Sequence, residues 1–330
     1  MLGRSAVVSD TGRRRRHNED QYVCMPPLFA VADGMGGAQA GEVASGLAAA
    51  VLNEAAPDAG REERGEERVA WLIQEANRRV FERSNEDEAT SGMGTTMTVA
   101  LVDGDTIAFG HVGDSRAYRV RGGALEQLTD DHSLVGELVR SGRLSPEEAE
   151  SHPQRSVITR ALGTEPDVDV DTFTVEAEPD DLYLICSDGL TDMVSPRDLE
   201  ALLVARTRDL DAAARALVDA ANAGGGEDNI TVVLFQFAGN RDSEVTMQSP
   251  AVTAPAPEVE VDDEDTLSGL DPVPAVDTAV ISAAAVEEQL QQVEPEPALR
   301  AKARRRPAPL IALVLLLTAI AVLAYWGLTR

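Results

Sequence analysis

Two apolar segments of this 330-residue chain end in an acidic residue followed by glycine. Leu28–Ala32 runs into Asp33-Gly34. Leu182–Ser187 runs into Asp188-Gly189. A buried strand delivers its last side chain at a rigid edge, and glycine lets the backbone turn sharply and expose its carbonyl oxygen. Both segments therefore predict a carboxylate that is held in position for chemistry.

Other acids stand at comparable positions beside strand-like segments. They are Glu19 and Asp20 before Tyr22–Cys24, Asp114 within His111–Arg116, and Asp228 before Asn229–Val233. Each acid taken alone reads as a solvated turn residue, as Asp103 and Asp105 do. Carboxylates that converge from several strand ends repel one another unless cations lie between them. Because hard oxygen ligands select Mg²⁺ or Mn²⁺ over zinc, the combination predicts a site for divalent metal ions.

Composition and missing motifs exclude several other classes of function. The formal net charge of -28 would repel nucleic-acid phosphates, so we expect no nucleic-acid partner. A cysteine phosphatase needs an arginine that closes a loop around its thiolate, but Asp192 follows Cys186 at that spacing and Ala30 follows Cys24. Neither a Gly-x-Ser-x-Gly elbow nor a His-Glu-x-x-His pair occurs. Both cysteines lie in apolar runs, which predicts buried free thiols.

The elements that must position the acids lie in residues 1–239. Four strand-like segments are joined by short turns, and because short connections join antiparallel neighbours we expect a meander. Helical periodicity marks four other segments. An antiparallel β core with helices packed outside it is predicted, and the pattern leaves open whether the sheet is single or double. The strands are Thr95–Leu101, Thr106–His111, Arg116–Val120 and Leu125–Leu128, and the helices are Glu42–Ala56, Arg68–Ser84, Ser195–Arg206 and Leu210–Ala223.

The composition changes abruptly after residue 239. Residues 240–309, here called the linker, are rich in Asp, Glu, Pro and Ala as far as Arg300, which predicts an extended disordered segment with a short helix at Ala283–Gln292 as an option. A basic cluster containing Arg304–Arg306 follows, and residues 310–328 carry no charge. About 20 apolar residues span a bilayer core, so a transmembrane helix is predicted, with residues 329–330 as a short tail. The flanking bases favour a cytoplasmic N-terminal domain.

Seven motifs occur in an order that resembles the metal-dependent protein phosphatases of type 2C, the PPM family, in its bacterial membrane-anchored branch. The resemblance covers about residues 5–237 and implies an α+β fold, an antiparallel β-sandwich flanked by helices on both sides. The motifs are Arg15–Asp20, Val31–Gly37, Gly94–Thr96, His111–Arg116, Leu128–Ser133, Cys186–Gly189 and Glu227–Thr231.

The resemblance implies a role for each candidate metal ligand. Two Mn²⁺ or Mg²⁺ ions are expected in the core site, with a third, weaker ion as a further expectation. Asp33 would bridge the two ions, with the carbonyl of Gly34 on one and Asp188 and Asp228 on the other. Asp20, helped by Glu19, would hold metal-bound waters. Asp114 and, less directly, Ser156 would bind the third ion.

The resemblance also implies the reaction. The two ions would activate a bridging hydroxide that attacks phosphorus directly, while Arg15 grips the substrate phosphate. Arg15, Asp33 and Asp188 are therefore the expected catalytic residues. Met35 stands where eukaryotic relatives often carry a histidine, and His132 reads as a structural group, so no general acid is named. Residues 132–169, here called the flap, resemble a segment that lies over the family's active site.

The expected function is hydrolysis of phosphoserine and phosphothreonine in proteins, and the expected partners include a membrane Ser/Thr kinase. The transmembrane helix would hold the enzyme at the cell membrane as a single-pass protein with its catalytic domain in the cytoplasm. The alternative is a catalytically silent, phosphatase-like module that binds phosphoproteins at the membrane. The intact set of acids argues against that alternative, because a decayed site should have lost ligands.

Overall fold

The computed structural model describes residues 2–36, 40–56, 65–86, 88–150, 152–238 and 279–280. The predicted transmembrane helix, the helix at 283–292 and nearly all of the linker lie outside these ranges. Within the described ranges no helix is both long and apolar enough to span a bilayer.

Two antiparallel sheets form the centre of the fold. One sheet has the strand order β1-β12-β11-β7-β8, and the other has the order β10-β6-β5-β3-β2, with β4 paired to β3. The strands are β1 Leu2–Asp10, β2 Asp20–Met25, β3 Leu28–Met35, β4 Gly94–Thr95, β5 Met97–Asp103, β6 Thr106–Val112, β7 Arg116–Arg121, β8 Ala124–Gln127, β9 Val157–Ile158, β10 Asp171–Glu176, β11 Leu182–Cys186, β12 Ile230–Phe237 and β13 Ala279–Val280. The first sheet is called sheet A below, and the second is called sheet B.

The two sheets pack face to face through aromatic side chains. Phe29 of sheet B stacks on Phe235 of sheet A, with ring centroids 4.2 Å apart. Tyr183 stacks on the same Phe235 ring at 5.1 Å and meets Phe109 at 6.2 Å. These side chains belong to one buried cluster between the sheets, so the expected β-sandwich is confirmed.

Helices cover the outer face of each sheet. α1 and α2 pack on sheet B, where small residues such as Ala44 and Ala48 let α1 approach the strands closely. α6 and α7 pack on sheet A through Leu199, Leu203 and Leu217. The four predicted helices correspond to α1, α2, α6 and α7. The helices are α1 Ala40–Ala55, α2 Gly65–Glu86, α3 Leu134–Arg140, α4 Pro146–Glu150, α5 Asp188–Thr191, α6 Pro196–Ala205 and α7 Leu210–Gly224, with a 3-10 turn at Glu88–Thr90.

The predicted meander is wrong at its central connection. β5 pairs with β6 and β7 pairs with β8, but β6 lies in sheet B and β7 in sheet A. Gly113, directly after β6, has φ +114°, and a Cβ there would lie 2.5 Å from Cβ of Thr96. Only glycine tolerates this left-handed, crowded backbone. The chain therefore crosses between the sheets at Gly113 and carries Asp114 with it.

The linker differs from its prediction at two residues. Ala279–Val280 forms β13, which pairs in parallel with β9 of the flap. A strand that pairs along an open sheet edge through its backbone does not need a hydrophobic core of its own. Hydrophobic periodicity in the sequence therefore does not predict such a strand. Cys24 and Cys186 are free thiols as predicted, with Cys186 buried and Cys24 partly buried.

Candidate metal centre

Hydrogen bonds to its backbone fix Asp33 near the end of β3. The Thr96 amide and the Thr95 hydroxyl both donate to the Asp33 carbonyl oxygen at 2.8 Å. The Asp33 amide donates to the Thr96 hydroxyl at 3.1 Å. Asp20 lies opposite Asp33 on β2 as its cross-strand partner. The Gly94–Thr96 motif thus serves to hold Asp33, and the hairpin of β2 and β3 brings two carboxylates side by side.

Position 34 needs glycine because two other segments of the chain approach its backbone closely. A Cβ at this residue would lie 2.2 Å from the carbonyl oxygen of Gly41 in α1 and 2.6 Å from that of Glu19. No side chain fits there, so α1 and the Glu19 loop can press against the strand beside Asp33.

Sheet A contributes the remaining acids. Asp188 follows β11 and begins the four-residue helix α5, and Asp228 precedes β12. A Cβ at Gly189 would lie 3.4 Å from Cβ of Asp228, so the two loops are in contact. Ser187 links the sheets, because its hydroxyl donates to Oδ2 of Asp20 at 2.8 Å. The structure therefore brings Asp20, Asp33, Asp188 and Asp228 together from both sheets.

The electrostatics of these acids reflect burial and mutual repulsion. Burial raises the pKa of Asp33 well above its usual value, and the negative charges of Asp20, Asp188, Asp228 and Asp114 raise it further. Burial, reinforced by Asp114 and Asp228, raises the pKa of Asp188 in the same way. Burial also raises the pKa of Asp20 to about 6, although hydrogen bonds from Thr231 and Ser187 oppose the shift. Such crowding favours a bound cation strongly.

Unpartnered oxygen atoms show that the site suits a hard cation. Among the described residues, Oδ1 of Asp20 and Oδ1 of Asp188 are buried and accept no hydrogen bond. Buried oxygen atoms of this kind need a donor, a water or a metal ion. No three acidic, histidine or cysteine side chains within the described ranges lie close enough to enclose one ion alone. Backbone carbonyl and water oxygens would have to complete each coordination shell, as Mg²⁺ generally requires.

Asp114 lies at the crossover between the sheets and is only 7% exposed. Burial and the nearby charge of Asp131 raise the pKa of Asp114 to about 7, whereas Arg116 opposes the shift. Arg116 is itself held by Asp131 in a two-pronged ion pair, with N···O distances of 2.8 and 2.6 Å. The negative charge of Asp114 also raises the pKa of Asp188. Asp114 therefore belongs to the acid group, as predicted from its motif.

Arg15 points to Asp228 rather than standing free for a phosphate group. Its Nη2 donates to Oδ2 of Asp228 at 2.8 Å. Although burial disfavours the charge, the attraction of Asp228 raises the pKa of Arg15. Burial raises the pKa of Glu19, and Arg15 partly offsets that rise. Arg15 lies beside the acids, and its partner in this structure is one of the predicted metal ligands; its role toward a phosphate stays a prediction.

The flap approaches the acid group through the residue next to Ser156. Among the described residues no hydrogen bond joins Ser156 to Asp114 or Asp188, so its role stays a prediction. Arg155 next to it approaches Asp192, with an N···O distance of 3.9 Å. Burial raises the pKa of Asp192, and Arg155 opposes the rise. Asp192, which the motif comparison passed over, therefore connects the flap with the acid group.

Asn229 is a second residue whose role the sequence did not reveal. Its side-chain oxygen accepts from the Glu19 amide at 2.7 Å. Its side-chain nitrogen donates to the carbonyl oxygens of Thr11 and His17, both at 3.0 Å. Asn229 therefore fastens the loop that carries Arg15, Glu19 and Asp20 to the start of β12. Its position beside Asp228 was the available signal, but the contacts are long-range.

His132 has the structural role expected of it. Its Nδ1 accepts a hydrogen bond from the Gly113 amide at 3.1 Å, and its Nε2 lies 3.1 Å from Oδ2 of Asp171. Burial, with the positive charges of His111 and Arg160, lowers the pKa of His132 to about 3. A neutral ring fixed in this way braces the Asp114 crossover and cannot deliver a proton near neutral pH.

Comparison with known proteins gives a consistent result. Residues 14–221 match the family model described as Protein phosphatase 2C. The serine/threonine phosphatase Stp of Listeria monocytogenes is 42% identical over 236 residues, which cover 69% of this chain and 93% of that protein. The serine/threonine protein phosphatase PstP of Mycobacterium tuberculosis is 42% identical over 238 residues, covering 71% of this chain and 45% of that protein.

Solved structures agree with the sequence comparison. The Mycobacterium tuberculosis phosphatase PstP/Ppp superposes with a TM-score of 0.69 at 39% identity, covering 72% of this chain and 100% of that one. A PstP catalytic domain solved in complex with 2 manganese ions gives a TM-score of 0.67 at 37% identity, covering 72% and 99%. The chain belongs to the protein phosphatase 2C family of serine/threonine protein phosphatases.

Proposed function

We propose that the chain removes phosphate from phosphoserine and phosphothreonine side chains through two Mn²⁺ or Mg²⁺ ions held by Asp33, Gly34, Asp188 and Asp228. The observation that carries this proposal is the group of acids supplied by both sheets, in which Asp20 is buried and Asp33, Asp188 and Asp228 are partly buried, with unpartnered oxygen atoms on Asp20 and Asp188. When bound, the ions supply Lewis acidity that favours ionised water near neutral pH.

The chain's own residues position the reacting groups. Asp33 is held rigidly by Thr95 and Thr96, so its carboxylate can serve both ions without rearrangement of β3. Asp20, itself bonded to Ser187, is placed to accept hydrogen bonds from water beside Asp33, with Glu19 next to it. Fixed groups of this kind lower the barrier because little reorganisation accompanies the reaction.

Arg15 serves the substrate in this proposal. Its guanidinium offers two parallel N–H donors, which match a phosphate group. In the described geometry Asp228 accepts from Arg15. If Asp228 held a metal ion, Arg15 would be free to exchange this anionic partner for the substrate phosphate, whose negative charge its guanidinium would neutralise. Asp114, with Ser156 of the flap, is proposed to hold the third, weaker ion.

We also propose that the protein is attached to a membrane and acts opposite a kinase. Residues 310–328 have the length and composition of a spanning helix, and the bases at 302–306 favour a cytoplasmic catalytic domain. In that setting the enzyme would act on phosphoproteins near the membrane, including those modified by a membrane Ser/Thr kinase.

The direct test is release of phosphate from a phosphothreonine peptide by the full chain, with excess Mn²⁺ or with EDTA. We expect turnover with Mn²⁺ and its loss with EDTA, restored by adding the metal back. A catalytically silent module would bind the peptide without releasing phosphate under either condition. That outcome would contradict the proposal and favour the phosphoprotein-binding alternative.

A further inference from the structure

Strand β9 of the flap has two edges, and both are paired. On one edge, Ile158 bridges to Ser133, and the Thr159 amide donates to the His132 carbonyl oxygen at 2.8 Å. On the other edge, β13 pairs in parallel, with Ala279 opposite Val157 and Val280 opposite Ile158. Successive strand amides point to opposite edges. The Ile158 amide therefore faces β13, because the Thr159 amide faces His132.

This pairing takes place next to the metal centre. Ile158 is 1% exposed and packs in one small cluster with Met35 and Ala161. Met35 lies on β3, two residues after Asp33. On the other side of β9, Arg155 approaches Asp192 in the acid group. A peptide backbone that pairs with the edge of β9 occupied by β13 therefore lies next to a strand whose side chains border the site.

We infer that this edge of β9 is a docking edge for an extended peptide backbone, and that the linker residues Ala279–Val280 occupy it as an internal ligand. The interaction is β-augmentation, in which main-chain hydrogen bonds supply most of the attraction. Val280 is β-branched, which favours the extended conformation of β13.

The covalent connection explains why so short a strand can bind. About 40 residues separate the end of β12 from β13, and the cost of closing such a loop grows only slowly with its length. A tethered ligand has an effective concentration in the millimolar range, so a few backbone hydrogen bonds suffice. A preference of about fivefold for the docked state corresponds to a net free energy of about 1 kcal/mol, which is the size of one backbone hydrogen bond.

The inference extends the proposed function, on which its second half rests. In this inference, the phosphoprotein segment that reaches the acids lies along the β9 edge of the flap in an extended form. The docked linker then competes with that segment for the β9 edge and lowers turnover of protein substrates. A small aryl phosphate has no backbone to place on β9, so its turnover should not depend on the linker.

The test uses the full chain with both β13 residues changed to proline, A279P/V280P. Proline lacks the amide hydrogen and cannot donate to a ladder. The linker contains the same Ala-Val pair at Ala251-Val252, so A251P/V252P is the matched control. Amide hydrogen exchange gives the first readout. We expect the Ile158 amide to exchange about fivefold faster in A279P/V280P alone, while the Thr159 amide stays unchanged in both variants.

Turnover gives the second readout. We expect kcat/KM for a phosphothreonine peptide to rise about fivefold in A279P/V280P, with p-nitrophenyl phosphate turnover unchanged. Equal Ile158 exchange in all three proteins would overturn the docking. Faster exchange without a rise in peptide turnover would overturn the competition. A wild-type chain without Mn²⁺-dependent activity, but with the Ile158 difference intact, would refute the proposed function and leave the docking standing.

Discussion

Burial of the acids in sheets A and B determines how this site responds to metal ions. Asp33 and Asp188 both have a pKa well above the usual value, because burial and neighbouring acids oppose their charge. A metal ion must therefore displace protons as it binds, and the energy of metal binding becomes energy of folding.

Replacing Asp33 or Asp188 with asparagine should lower Mn²⁺-dependent kcat/KM by roughly a thousandfold. The amide keeps the shape of the side chain but cannot balance the charge of an ion. Asp103→Asn is the control, since Asp103 is an exposed turn acid outside the group. Phosphate release and the melting temperature are measured together. Near wild-type turnover in either variant would rule out the binuclear site.

Stabilisation by Mn²⁺ should grow as the pH rises from about 5 to about 7.5. Asp20 and Asp114 have pKa values of about 6 and about 7, above the usual 3.8, so the metal-free folded protein holds protons that the unfolded chain releases. Because these protons are lost as the pH rises from about 5 to about 7.5, the stability of the metal-free protein falls over this range. Mn²⁺ binds the ionised acids, so its binding becomes stronger over the same range. The measurement is the melting temperature with Mn²⁺ minus that with EDTA. Buried His132 titrates in the opposite sense, but it contributes to both conditions. A difference independent of pH would contradict the prediction.

At the scale of elements, the connection between strands decides where each acid points. Thr96 lies between β4 and β5 and binds both the Asp33 backbone and the Ser115 hydroxyl, at 2.9 Å to the latter. It also packs under Gly113 at the crossover. One side chain thus supports Asp33 of sheet B and the turn that carries Asp114 towards sheet A.

Thr96→Val should lower kcat/KM about tenfold, because the Asp33 amide loses its acceptor and the strand end loosens. Thr98→Val is the matched control on the same segment. The Thr98 hydroxyl bonds to Nδ1 of His111 at 2.9 Å and donates to the Ser115 carbonyl oxygen at 3.2 Å, so it shares the contact with Ser115 but not the bond to the Asp33 amide. We expect comparable losses in melting temperature for both variants and a loss of activity for Thr96→Val alone. Equal activity in the two variants would show that Thr96 is only structural.

Hydrophobic periodicity predicted most of the helices and strands, but the local sequence gave a wrong prediction at one turn. Helices α1, α2, α6 and α7 follow apolar patterns that depend on neighbouring residues only, so their sequence suffices. The turn at Gly113 reads like the hairpin turn at Gly122-Gly123, because both contain glycine with positive φ. What separates them is Thr96 packed beneath Gly113, a contact 17 residues away in sequence. Such a contact has no local signature.

The same division applies to the site. Asp20, Asp33, Asp188 and Asp228 could be predicted from motifs because their residue types carry the chemistry. Asn229 and Asp192 could not, since their importance lies in the partners that folding brings to them. Arg15 was predicted near the site, but its pairing with Asp228 depends on two loops that only the tertiary structure joins.

For the whole molecule, we propose that residues 310–328 anchor the catalytic domain at a membrane. A chain that stops after residue 309 should remain in the soluble fraction, while the full chain should sediment with membranes and resist a high-salt wash. Mn²⁺-dependent turnover of p-nitrophenyl phosphate should be equal in the two. Full chain in the soluble fraction would contradict membrane anchoring.

Asp33 and Gly34 come from sheet B, whereas Asp188 and Asp228 come from sheet A. The ion proposed to bind Asp33, Asp188 and Asp228 would connect the two layers of the sandwich. Its departure would remove this link and leave the apolar packing and the Ser187–Asp20 hydrogen bond between the layers, so opening would become faster. Manganese starvation in a cell would then do more than silence the enzyme. It would shorten the protein's lifetime against proteases, so abundance as well as activity would follow metal supply.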